Sequence, residues 1–81
     1  MSRKHHELKT ETRFYQAIEK GIKKFELRKN DRGFEVGDML TLLETVNTVY
    51  TGRRLGPMEI KYIFSVEKDF GLQEGYCIMC W

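Results

Sequence analysis

The densest chemistry in this sequence lies in Gly21-Ile22-Lys23-Lys24-Phe25-Glu26-Leu27-Arg28, with Lys29-Asn30-Asp31-Arg32-Gly33 directly after it. Cationic and anionic groups are closer together here than a surface strand requires. Arg28 offers a planar fork of donors suited to a phosphate or carboxylate. Lys23 offers a mobile ammonium, and Glu26 an acceptor that can take donors from a base or sugar, or hold Arg28 in place. On a regular strand Glu26 and Arg28 share a face and Lys23 falls on the other. The three converge only if the turn at Gly21 rotates Lys23 into the same recess. Taken alone, the alternation equally describes an ordinary exposed face of Lys24, Glu26 and Arg28, whose cross-strand ion pairs are worth little.

Other residues with chemical potential are less concentrated. Cys77 and Cys80 stand three apart near the end of the chain. A zinc site needs more ligands at chelating spacing, and a redox pair wants a helix N-terminus in a βαβ setting. Tyr76 to Trp81 reads as a strand, so the two thiols point to opposite faces and are expected to pack in or beside the core. His5 and His6 diverge in the same way, and no metal or cofactor is expected. Thr51-Gly52-Arg53-Arg54 reads equally as a phosphate-contacting loop or as a solvated hairpin. The rings of Phe14, Phe25, Phe34, Tyr62, Phe64 and Trp81 lie at core spacings. Tyr15, Tyr50 and Tyr76 are the candidates for stacking on a base, although packing is expected for each.

The elements that must position these groups follow from periodicity. His5 to Thr10 suits a first strand. Thr10-Glu11-Thr12 offers hydroxyl caps and an acidic first turn to a helix. That helix carries Phe14, Ala17 and Ile18 on its apolar stripe, with Ile22 one turn beyond, and closes at Gly21 in a left-handed cap. From Lys23 the period changes to two, with Phe25 and Leu27 on one face. Asn30 to Gly33 is turn chemistry. Met39 to Glu44 is apolar on both faces, as in a central strand, with Gly37-Asp38 as the tight turn before it. Val46 to Tyr50 is expected to form the next strand and Thr51 to Pro57 a loop. Met58 to Glu67 gives the cleanest alternation in the chain. Lys68 to Gly75 reads as a loop able to fold over a barrel end, and the last strand ends at Trp81.

At 81 residues the chain supports one domain, spanning 1–81. Hydrophobic residues are 41% and charged residues 32%, a balance that excludes a disordered chain. No apolar run approaches the roughly 18 residues of a membrane span, and Met1 to Glu7 lacks the apolar region of a secretory signal. A cytoplasmic protein without a membrane partner is expected, with a monomer slightly favoured. Residues 1 to 40 hold ten Lys/Arg against seven Asp/Glu, and residues 41 to 81 four against five. A mildly basic half fits an anionic partner such as a phosphate backbone without demanding one.

Gly21 to Arg28 fits G-x-K-x-x-E-x-R, and in this respect the chain resembles the ASCH domain (activating signal cointegrator homology) of the PUA-like superfamily. The pattern apolar-x-Gly-Asp-apolar follows at Phe34-Glu35-Val36-Gly37-Asp38-Met39. His6-Glu7-Leu8-Lys9, Phe25 to Arg32, Tyr50-Thr51-Gly52-Arg53 and Gly71 to Tyr76 are similar to a small subfamily of ASCH-like proteins from bacteria and phages. The resemblance implies an α+β fold: a small PUA-like β-barrel of five to six strands, with one helix between the first two and a charged cleft between helix and barrel. It carries over Lys23, Glu26 and Arg28 as ligand-binding positions, with Asn30 and Arg53 as weaker additions on the rim.

Three functions are then in contention. The first is a module binding RNA or a nucleotide-like ligand. The second is a small hydrolase acting on a modified nucleoside. Some small ASCH-like proteins hydrolyse an amide on acylated cytidine with a threonine at the motif's Glu position, whereas this chain has Glu26 there and no hydroxyl nucleophile. Lys23 with Glu26 could still move a proton, and no catalytic residue is assigned. The third is a protein-interaction accessory module, ranked last because the pattern shows no exposed apolar patch.

Overall fold

A computed structural model describes residues 3–65 and 75–81. The order is β1 (His5–Glu11), α1 (Thr12–Glu19), β2 (Phe25–Lys29), β3 (Met39–Val46), β4 (Val49–Glu59), β5 (Tyr62–Ser65) and β6 (Tyr76–Cys80). This is a small α+β fold, mostly strands, with its short helix between the first two. The strands pair as two three-stranded sheets, β1-β3-β4 and β2-β6-β5. In the first, β1 runs parallel to β3 and β4 antiparallel; the second is antiparallel throughout.

Where the sequence led us to expect a closed barrel, no backbone ladder joins β1 to β2 among the described residues. Arginine side chains occupy that seam instead. The carbonyls of Glu7 and Lys9 leave the same edge of β1 because their spacing is two. The Glu7 carbonyl accepts from Arg32 Nη1 at 2.8 Å, and the Lys9 carbonyl accepts from Arg28 Nη2. Guanidinium groups thus cover an edge that would otherwise present unpaired carbonyls.

The core gathers Leu8, Tyr15, Ile18, Phe34, Leu40, Leu42, Ile60, Cys77 and Met79. Strict alternation on β1 buries His6, Leu8 and Thr10 and leaves the residues between them exposed. The helix ends as its sequence requires. Gly21 has φ +77°, its N–H donates to the Ile18 carbonyl at 3.0 Å and the Ile22 N–H donates to Ala17 at 2.9 Å, the paired bonds of a Schellman cap. The helix start differs from expectation: no side chain caps it and its first turn holds no acidic residue. The Thr12 hydroxyl donates to Glu44 on β3 instead, at 2.8 Å. The buried stripe is Tyr15 and Ile18, while Phe14 is partly exposed and Ile22 lies outside the helix.

On β2 the expected faces are correct in parity but reversed in burial. Glu26 is 5% exposed, whereas Phe25 and Leu27 are 45% and 50% exposed. With Tyr62 also half exposed, the expectations that Phe25 and Tyr62 are core rings and that no apolar side chains collect outside are corrected. The central strand β3 buries residues on both faces as expected.

Beyond it, Asn47 and Thr48, both with positive φ, form a two-residue hairpin turn. The segment Thr51 to Pro57, expected as a loop, is part of the 11-residue β4. Its glycines are absorbed as bulges: β3 and β4 change register between Leu40 and Leu42 and again between Leu43 and Thr45. The single strand expected from Met58 is cut at Ile60-Lys61. There Gly37 N–H donates to the Ile60 carbonyl at 2.8 Å and Ile60 N–H to the Asp38 carbonyl at 2.9 Å, tying the buried Ile60 to the turn before β3. Val66, Glu67 and most of the expected loop, Lys68 to Glu74, lie outside the described residues. Cys77 is buried and Cys80 half-buried, the packing positions expected of them. No helix of the described residues is long and apolar enough to cross a membrane.

Candidate functional site

A cleft of about 700 Å³ opens where β1, the start of α1 and β2 meet. Local structure explains how Lys23 reaches it. After the glycine cap the Ala17 carbonyl takes a second donor, the Lys23 N–H at 3.1 Å, so the chain is still turning at Lys23 and β2 begins only at Phe25. Strand parity therefore does not govern Lys23. Its Nζ donates to Glu26 Oε1 at 2.7 Å. Arg28 donates through Nε to Glu26 Oε2 at 2.8 Å, with Nη2 2.7 Å from the same oxygen. One carboxylate thus joins two cations, and the Lys23, Glu26 and Arg28 tips gather in one recess.

The side chains in this trio are 17%, 7% and 27% exposed for Lys23, Glu26 and Arg28. Charge-assisted bonds to both oxygens are what allow the Glu26 carboxylate to lie inside. The Lys23 ammonium also lies 5.2 Å from the centre of the Phe14 ring and 4.9 Å from that of Phe25, within cation–π range of both. Exposed aromatic surface and buried charge therefore line the same wall.

Asn30 and Arg53, expected on the rim, are not brought into the cleft lining. The Asn30 side-chain oxygen accepts from the Phe34 N–H at 3.0 Å and braces its own turn. Arg53, on β4, pairs with Glu19 of the helix at 2.5 Å and approaches Glu44 at 3.7 Å, with its guanidinium 5.3 Å from the Tyr15 ring centre. Both are corrections with different causes: Arg53 finds acidic partners in other elements, which no local pattern reports, while Asn30 is taken up by the backbone of its own turn. Tyr15, considered as a stacking ring, is 1% exposed. Burial pushes its phenol up from the ordinary value, with Arg53 opposing. Phe14, Phe25, Arg32 and Tyr76 do line the cleft. Only Tyr76 among them was a stacking candidate; the outward face of Phe25 carries no sequence signal of its own.

Two buried carboxylates brace the scaffold. Asp38 accepts from Lys4 N–H at 3.1 Å, His6 Nε2 at 3.0 Å and Glu35 N–H at 3.1 Å. Burial alone would raise its pKa, yet these bonds together hold it below the ordinary carboxylate value. The His6 ring meets Phe34 edge-on at 4.7 Å. Glu44 accepts hydroxyl bonds from Thr51 at 2.7 Å and Thr12 at 2.8 Å, which hold its pKa low against burial, with Arg53 assisting. Among the described residues, no group of three or more His, Cys, Asp or Glu is arranged to hold a metal ion.

A protein of Escherichia phage P2, "Uncharacterized 12.9 kDa protein in GpA 3'region", is similar to this chain. It is 42% identical over 55 residues, 68% of this chain and 50% of the phage protein. The chain thus spans about half the length of the curated relative it matches. One family model, a domain of unknown function (DUF3850), matches residues 5–81, from the first residue of β1 to the final tryptophan. With both sheets, the helix and the whole cleft inside that match, the chain belongs to the DUF3850 family.

Proposed function

We propose that the cleft binds RNA or a nucleotide-like ligand. The observation that carries this reading is the Lys23–Glu26–Arg28 trio set against exposed aromatic rings. Five cations line the cleft, Lys9, Lys23, Arg28, Lys29 and Arg32, against three carboxylates, so its wall is net positive and suits a phosphate. A base can stack on the Phe25 or Tyr76 ring. Glu26, still an acceptor on both oxygens, can receive a base or sugar donor.

Assignment of the fold to the ASCH domain and its PUA-like barrel belongs to the same proposal. It is supported by the G-x-K-x-x-E-x-R fit and by the arginine seam that draws β2 against the edge of β1. The reading expects a cytoplasmic protein.

The test is fluorescence anisotropy with mononucleotides and short RNAs at two salt concentrations. Binding at low salt that weakens as salt rises, and falls at least tenfold in Lys23→Ala or Arg28→Ala, is expected. No binding of any of these ligands at low salt overturns the reading.

One contact favours a second reading. The 2.7 Å pair of Lys23 and Glu26 couples a proton donor to an acceptor in the cleft, as hydrolysis of a modified nucleoside requires. Turnover of N4-acetylcytidine that disappears in Lys23→Ala supports it; absence of turnover removes it for that substrate.

A further inference from the structure

A second hollow of about 480 Å³ adjoins the first, lined by His5, His6, Glu7, Arg32 and Arg54. The two are consecutive along one strand. β1 gives residues 5 to 7 to the second hollow and residues 8 to 11 to the first, and Arg32 lines both. At about 3.3 Å per strand residue, the midpoints of the two stretches of β1 that line them lie roughly 12 Å apart. That is a distance a chain of nucleotides spans and a single phosphate does not.

The charge along this path is positive and incompletely paired. Arg54 reaches Glu7 Oε2 at 2.6 Å, but both side chains are exposed, at 60% and 55%, so the pair is weak and exchangeable with an incoming anion. Arg32 donates to the neutral Glu7 carbonyl, and its charge has no acidic partner among the described residues. The Lys4 ammonium flanks the same turn, 3.7 Å from where a Cβ at Gly33 would stand. His5, on the outer face of β1, bonds Thr41 Oγ1 at 2.9 Å and offers an exposed ring.

From this juxtaposition we infer that the occupant is a single-stranded oligoribonucleotide rather than a mononucleotide: one nucleotide sits in the first cleft and the backbone passes Arg32 to place a further phosphate at Arg54. This rests on the cleft reading above and extends it to the ligand's length and path. Arg54 lines the second hollow and not the first, so its removal separates the two claims.

Isothermal titration of the 81-residue chain with uridine monophosphate and with tetrauridylate tests this. Arg54→Ala and Arg54→Gln serve as variants, each checked for folding by circular dichroism. The tetranucleotide is expected to bind at least tenfold tighter than the mononucleotide. The Arg54 variants should lose most of that gain and lower the salt slope by about one, while mononucleotide binding stays within twofold. Equal affinity for the two ligands, or a tetranucleotide affinity indifferent to Arg54, overturns the inference and leaves the cleft reading standing. Inorganic tripolyphosphate binding as tightly as the tetranucleotide also overturns it. Failure of every ligand to bind overturns both.

Discussion

Glu26 and Arg28 stand two residues apart on β2, and Arg28 Nε donates to Glu26 Oε2 at 2.8 Å while Arg28 Nη2 reaches across to the Lys9 carbonyl on β1. One side chain therefore neutralises a buried carboxylate and fastens the two sheets. Binding chemistry and fold stability share these atoms, which shapes what substitution will do.

Replacing Glu26 with Ala leaves Lys23 and Arg28 partly buried without their anion. Loss of one partner from such a network is expected to cost about 2–4 kcal/mol in urea unfolding, short of the fully buried limit because both cations touch solvent. An unfolding midpoint equal to that of the parent chain would show that the trio contributes nothing to the fold.

Arg28→Lys keeps the charge but loses the fork that serves Glu26, Thr10 and the Lys9 carbonyl together. A single ammonium, without the reach and fixed fork of the guanidinium, cannot satisfy all three, so a loss of about 1–3 kcal/mol is expected. Stability within error of the parent would mean that the seam between the sheets is held elsewhere.

Acid should destabilise the protein through Asp38 and Glu44. Their folded pKa values lie below the ordinary 3.8 and 4.5, so the folded state binds fewer protons than the unfolded one as pH falls through that range. The stability they contribute is present above about pH 4.5 and is lost as pH falls through their lowered folded values. Unfolding free energy measured from pH 6 to pH 2 should fall with acid, and Asp38→Asn should flatten part of the slope. A parent curve flat below pH 4.5 contradicts the assignment.

Two glycines with positive φ should respond differently to alanine. At Gly21, φ +77°, no described atom lies within 4 Å of the added Cβ, so only the left-handed strain is incurred, about 1 kcal/mol. At Gly56, φ +124°, that Cβ would stand 2.6 Å from the Leu40 carbonyl oxygen of the central strand. Backbone must move there, and a cost above about 2 kcal/mol is expected. Thermal unfolding of both variants gives the order; equal losses would refute it.

Much of the scaffold was legible locally. The length and position of His5 to Thr10 suit the first strand, the glycine cap at Gly21 ends the helix, and the two-sided apolarity of Met39 to Glu44 marks the central strand. Each is a property of neighbouring residues: a glycine C-cap and strand parity are set within a few positions, whereas the hydroxyl cap expected at the helix start did not form because Thr12 bonds Glu44 across the fold. Bulges were not legible, because Gly52 and Gly56 carry the same composition whether they terminate a strand or are absorbed into one.

By itself the sequence determined the order of the elements and the presence of Lys23, Glu26 and Arg28 beside one turn. Tertiary structure decided which face of β2 turns inward, and it chose the charged one. A period of two says which side chains share a face; which face is buried depends on partners from elsewhere. Glu26 could enter because Lys23 and Arg28 bind both its oxygens, and Arg28 is in turn anchored by a carbonyl 19 positions away. Arg53 left the expected cleft for the same reason, drawn by Glu19 and Glu44 across the fold. Charges far apart in the chain settle such choices only when packing brings them within hydrogen-bond reach.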